Sequence, residues 1–123
     1  MEARIYSAGL QVADYPAMKA FYADLLGFPV ARAFEDRADH KACFFALAGS
    51  PFYIVWDEGR VSGGPAARVR LDLHVPDVEA AWRELSGKVA GADGPPHPTR
   101  WGGFGFALTD PEGTTVHLLL GKR

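Results

Sequence analysis

The stretch Leu10–Phe28, LQVADYPAMKAFYADLLGF, has a partner 63 residues further on, Leu73–Lys88, LHVPDVEAAWRELSGK. At that offset Leu10 falls on Leu73, Val12 on Val75 and Asp14 on Asp77, followed by Tyr15 on Val78, Met18 on Ala81 and Tyr22 on Leu85. Both copies read as a strand, an Asp and an amphipathic helix. The Asp can cap the first free N–H groups of a helix. Apolar residues then recur at helical spacing, Met18, Phe21, Tyr22 and Leu25 in one copy and Val78, Ala81, Trp82 and Leu85 in the other. Gly27 and Gly87 stand where a left-handed residue would end each helix.

Strand-like pieces follow each helix. They are PVARAFE, KACFFALA and FYIVWD in the first copy, and KVAGA, GFGFALT and TTVHLLL in the second. The stretch between copies, DEGRVSGGPAA, reads as an exposed connection. The repeat therefore predicts an α+β fold of strand–helix–three strands, twice. Modules near 1–57 and 68–123 would form a single domain over 1–123, because neither half has enough apolar surface to fold well alone.

Strand alternation predicts which residues share a face. Leu10, Val12, Leu71, Leu73 and Val75 share the apolar parity and should lie under the helices. The other parity carries Ser7, Gly9 and Gln11 in one copy and Arg70, Asp72 and His74 in the other. Arg, Asp and His in a row imply water or a polar cavity on that side. His117 alternates with Val116 and Leu118, so it can look into the same space.

The balance of 13 Lys and Arg against 15 Asp and Glu gives a formal net charge of −2, which argues against a nucleic-acid partner. The one cysteine, Cys43, has no partner for an internal disulfide, so a cytoplasmic location is expected. The start has no cationic stretch followed by an apolar run, and a secretory leader is not expected. The most apolar stretch, Cys43–Trp56, is interrupted by Gly49, Ser50 and Pro51, which makes two strands rather than a membrane span. No membrane partner is expected.

FYADLLGF, the paired VAD and VPD strand ends, and WGGFGFALTDPEGTTVHLLL together resemble the vicinal oxygen chelate superfamily. This group includes glyoxalase I, extradiol dioxygenases, fosfomycin-resistance enzymes and bleomycin-resistance proteins. The similarity spans nearly the whole chain, and its DPEG turn is the most specific part. It implies two βαβββ modules forming a curled mixed sheet around a concave cavity. Metal-dependent members carry His or Glu on the first and last strands of each module. The corresponding positions here are Ser7, Arg70, approximately Ile54 (within a residue of register) and His117. Only His117 binds a transition metal well, and such sites need three or more ligands. The resemblance therefore implies no metal and no cofactor. An atypical set of Asp72, His74 and His117 stands as the alternative, as does simple polar lining by the two histidines.

The resemblance points to a metal-independent small-molecule binder like the bleomycin-resistance proteins, working as a homodimer. A divergent metal-dependent lyase or dioxygenase is the alternative, and a cofactor-free isomerase using His74 or His117 as base is another. RWGGFGF resembles the segment lining the cavity mouth, so Trp101 and Phe104 join Ser7, Gln11, Ile54, Trp56, Arg70, Asp72, His74 and His117 as expected ligand contacts. Arg100 would add charge contacts and Phe52 aromatic surface. That lining suits a planar or anionic ligand, with Arg70 as a buried cation paired by Asp72. His40, in EDRADHK, reads as part of a solvated loop or edge strand, and His97 as part of a proline-rich loop.

Overall fold

The computed structural model describes residues 1–2, 7–59, 69–89, 91–99 and 102–120. The stretch 60–68, which holds most of the expected connection, lies outside them, and so do Arg100 and Trp101. The chain divides into two compact units, Met1–Gly64 and Pro65–Arg123.

In the first unit β1 (Ala8–Gln11) leads into α1 (Tyr15–Lys19). The Asp14 carboxylate accepts from the Ala17 N–H at 3.1 Å, and Pro16 sits in the first turn, where no donor is needed. The helix widens into a π-helical stretch, Ala20–Leu25, in which the Leu26 N–H reaches the Phe21 carbonyl at 2.9 Å. It ends at Gly27, whose φ of 73° is left-handed, as the sequence predicts. Strands β2 (Val30–Phe34), β3 (His40–Phe45) and β4 (Phe52–Asp57) complete a four-stranded sheet of order β1–β4–β3–β2, with β1 and β4 parallel.

The buried side of this sheet is built around Tyr22. Its ring meets Phe52 at 5.2 Å, Phe28 at 5.9 Å and Phe45 at 6.2 Å, and the residue is fully buried. Burial of one such side chain stabilises by about 1.5–3 kcal/mol, against about 1 kcal/mol for a helix cap, so the helix stays mainly through its apolar face. Tyr15 and Lys19 add a polar tie: both donate to Glu35 Oε2 at 2.7 Å. Burial, followed by the bond to Glu35, pushes the Tyr15 phenol far up, so it remains a donor at every working pH.

The second unit repeats the plan. β5 (Arg70–Val75) leads into α2 (Val78–Leu85), where Asp77 caps the Ala80 N–H at 2.9 Å. α2 ends differently from α1. Ser86 caps it in a right-handed conformation, the Lys88 N–H bonds the Leu85 carbonyl at 2.9 Å, and Gly87 is not left-handed. KVAGA forms no strand among its described residues, because that last bond turns the chain through Lys88. The third strand is instead β6 (His97–Pro98), inside the segment that reads as a loop. It pairs with β7 (Phe104–Thr109) at the sheet edge, where a proline's missing donor costs nothing. β8 (Thr115–Leu120) completes the order β5–β8–β7–β6. Trp82 of α2 meets the fully buried Phe106 edge-on at 5.2 Å.

Asp110 holds the β7–β8 turn. Its carboxylate, 4% exposed, accepts from the Glu112 N–H at 2.9 Å and the Thr114 N–H at 2.8 Å, while Gly113 takes a φ of 91°. Replacing Asp110 by Ala strands the buried Thr114 N–H, and urea unfolding should show a loss of about 1–3 kcal/mol. An unchanged midpoint would mean that the turn holds without its side chain.

Candidate functional site

Each sheet has one face under its helix and one face turned away. On the first sheet the register puts Gly9, Tyr53 and Phe44 in one row, and Gln11, Val55 and Ala42 in the next, all on the face away from α1. Asp57 and His40 pair one row further on. A cavity of about 580 Å³ opens over this face, lined by Ser7, Phe34, His40, Ala42, Phe44, Tyr53 and Val55.

Its floor is aromatic. Phe44 and Tyr53 stack at 4.9 Å with 27° between their planes, and Phe34 meets Phe44 edge-on at 6.0 Å. Gly9 makes room for this, since a Cβ there would clash with the Tyr53 ring. The Arg32 guanidinium lies 4.8 Å from the centre of the Phe34 ring, a cation–π contact at the sheet edge. The rim is polar. His40 Nδ1 and Asp57 Oδ1 lie 2.5 Å apart, and Gln11 Nε2 donates to Asp57 Oδ2 at 3.3 Å.

Ser7 and Gln11 therefore meet at this face, but Ile54 and Trp56 do not. Ile54 pairs with Leu10 and Cys43, is fully buried and lies on the helix side. Trp56 shares that side and lines a separate cavity of about 530 Å³ with Ala13, Asp14, Tyr15, Pro16, Ala38 and Lys41. Phe52, also on the helix side, packs on Tyr22. The register supplies the correction. His117 lies opposite Asp72, and Tyr53 lies opposite Gly9, the residue 63 positions before Asp72. The first-unit counterpart of His117 is thus Tyr53 rather than Ile54.

On the second sheet Arg70, Asp72 and His74 alternate along β5, opposite Thr115, His117 and Leu119. Arg70 Nη2 donates to Asp72 Oδ1 at 2.9 Å and lies 3.4 Å from His117 Nδ1. A guanidinium only donates, so Nδ1 is the acceptor and the neutral ring carries its proton on Nε2. Arg70 is not the buried cation that the sequence suggests: its side chain is 46% exposed. His74 is exposed as well. Phe104 shares the parity of Phe106 and Leu108, and so faces α2 rather than Arg70. Trp101 lies outside the described residues.

The donor set does not fit a transition metal. Ser7 and Tyr53 offer neutral hydroxyls, and beside His117 stands a permanently cationic guanidinium that repels a divalent ion. Among the described residues no three His, Cys, Asp or Glu side chains gather as ligands. Asp72 is engaged by Arg70, so the expected alternative set of Asp72, His74 and His117 does not form.

Burial, then the nearby Arg70 charge, holds the His117 imidazole below its ordinary value of 6.5. Its neutral form is favoured in the folded state. The resulting stability is fully present above the unfolded value and is lost as pH falls through the lower folded one. Urea unfolding from about pH 7 down to about pH 5 should show part of the acid loss disappearing in His117→Asn. An identical pH slope in that variant would contradict the assignment.

No helix among the described residues is long and apolar enough to cross a membrane. No curated protein matches the chain in sequence. Solved structures do match in fold. TnmS3, an antibiotic binding protein from Streptomyces sp. CB03234, is 23% identical with a TM-score of 0.74, over 99% of each chain. Lactoylglutathione lyase from Agrobacterium tumefaciens is 16% identical with a TM-score of 0.73, over 98% of this chain and 96% of its own. A glyoxalase/bleomycin resistance protein, also from Streptomyces sp. CB03234, is 25% identical with a TM-score of 0.66, over 92% of this chain and 98% of its own. These neighbours share an architecture across different activities. The family model for the Glyoxalase/Bleomycin resistance protein/Dioxygenase superfamily matches residues 4–118, and the chain belongs to that superfamily.

Proposed function

We propose that this protein is a metal-independent small-molecule binder that lays a planar, partly apolar ligand on the first-unit aromatic floor. The observation that carries this reading is the stack of Phe44 on Tyr53, flanked by Phe34, at the base of a cavity of about 580 Å³. A flat ligand gains stacking and apolar contact there, while Gln11, His40 and Asp57 supply polar contacts at one end. An antibiotic binding protein shares this fold, which supports a binding role. The alternative, a divergent metal-dependent lyase or dioxygenase, requires ligands that Ser7, Tyr53 and Arg70 do not provide.

We further propose that the protein acts as a cytoplasmic homodimer. The edge strand β2 is exposed along its whole length, and Val30 and Phe34 are among the most exposed large apolar side chains. A second copy covering such an edge would remove a liability that proteins otherwise guard with charge. The single cysteine, Cys43, is buried, and a reducing compartment suits it.

Calorimetric titration with planar heteroaromatic compounds should detect binding that Phe44→Ala weakens about tenfold, or about 1.4 kcal/mol. Equal affinity in the variant would remove the aromatic floor from the account. Light scattering at micromolar concentration should read the mass of two chains, and a single-chain mass would contradict the dimer.

A further inference from the structure

His40 is the histidine that lines the first-unit cavity, and its ring is held in one orientation. Nδ1 lies 2.5 Å from the Asp57 carboxylate. A carboxylate accepts, so Nδ1 carries the proton and Nε2 keeps the lone pair in the neutral ring. Among the described residues nothing hydrogen-bonds Nε2. The His40 side chain is 36% exposed and borders the same cavity as Phe44 and Tyr53. Asp57 is steadied in turn by Gln11, whose Nε2 donates to its second oxygen at 3.3 Å. The adjacent charge, Asp39, is paired with Arg37 at 2.9 and 3.0 Å. A base oriented by a carboxylate, beside a surface that places a flat molecule, is the arrangement that proton transfer needs.

The other histidines lack it. His117 is buried against Arg70, His97 Nδ1 is 3.0 Å from the Pro95 carbonyl, and His74 is exposed beside no described cavity. We propose that His40 is a general base for metal-free proton transfer on planar carbonyl compounds that carry a C–H next to the carbonyl, with Asp57 as its positioning residue. The inference rests on the binding reading above, since the aromatic floor must hold the substrate. In the step, the C–H bond next to the carbonyl breaks and its proton passes to His40 Nε2. The electron pair moves into the carbonyl, giving an enolate. Return of a proton from the imidazolium to carbon or oxygen completes a tautomerisation or an exchange, with no oxidant, reductant or co-reactant.

The planar ketone 2-indanone in deuterated water is a direct probe, because loss of its methylene proton signal reports each transfer. The protein should speed this exchange about a hundredfold over an equal concentration of free imidazole. His40→Ala should remove the acceleration even at saturating 2-indanone, and added imidazole should restore exchange by filling the vacated space. Asp57→Asn should lower the exchange rate about tenfold at saturating 2-indanone, which a merely structural role would not do. Circular dichroism of each variant checks the fold, and Asp57→Asn carries the test if His40→Ala does not fold. Binding of 2-indanone without accelerated exchange would overturn the inference and leave the binding reading standing. Absence of both would overturn the two together. Exchange that survives intact in a folded His40→Ala protein would also overturn the assignment.

Discussion

Cys43 lies opposite Ile54, and Ala42 opposite Val55, and this pairing determines which side chains of the first sheet reach the cavity. A slip of one residue would exchange the two faces of the strand, because side chains alternate with a period of two. Ile54 would then lose its place beside Leu10 and Cys43, and Tyr53 would be driven under the helix. The stack of Phe44 on Tyr53, the close approach of the Tyr53 ring to Gly9 and the meeting of His40 with Asp57 all follow from the observed register. The aromatic packing of Tyr22 against Phe45 and Phe52 on the opposite face fixes it energetically.

Those parts that one segment encodes locally were legible before the structure. Asp14 and Asp77 announce the two helix starts, Gly27 the end of the first, and the alternation in β1, β5 and β8 correctly separates apolar from polar faces. FYIVWD gave no such phase. It is apolar at nearly every position, so alternation alone cannot say whether Tyr53 or Ile54 faces the cavity. The answer lies in the partner strand: the turn around Gly49 folds β3 onto β4, and a hairpin centred there pairs His40 with Asp57. The same signal would have drawn His40 out of its charged neighbourhood. In the second unit, β6 is two residues long and contains a proline, too short for any pattern to mark it.

The two units share a plan but carry different chemistry. The first presents rings with a histidine–carboxylate rim, whereas the second presents Arg70, Asp72 and a neutral His117. Arg70 stands at a position where metal-dependent relatives are expected to place a ligand, and a fixed positive charge there changes what the face can hold. The architecture of the superfamily is therefore kept, while Ser7, Tyr53 and Arg70 stand at three of the four positions where metal-dependent relatives are expected to carry a ligand. Function then has to be sought in the side chains that took over those positions, above all Tyr53 and its ring neighbours.

The central claim is that a planar ligand sits on the face of the first sheet turned away from α1. Side-chain NMR shifts on addition of a saturating planar ligand test it most directly, since Trp56 and Tyr15 line a different cavity on the helix side. The account predicts that ring and methyl signals of Phe34, Ala42, Phe44, Tyr53 and Val55 move together while those of Tyr15, Pro16 and Trp56 stay in place. Shifts concentrated at Tyr15, Pro16 and Trp56 would contradict it.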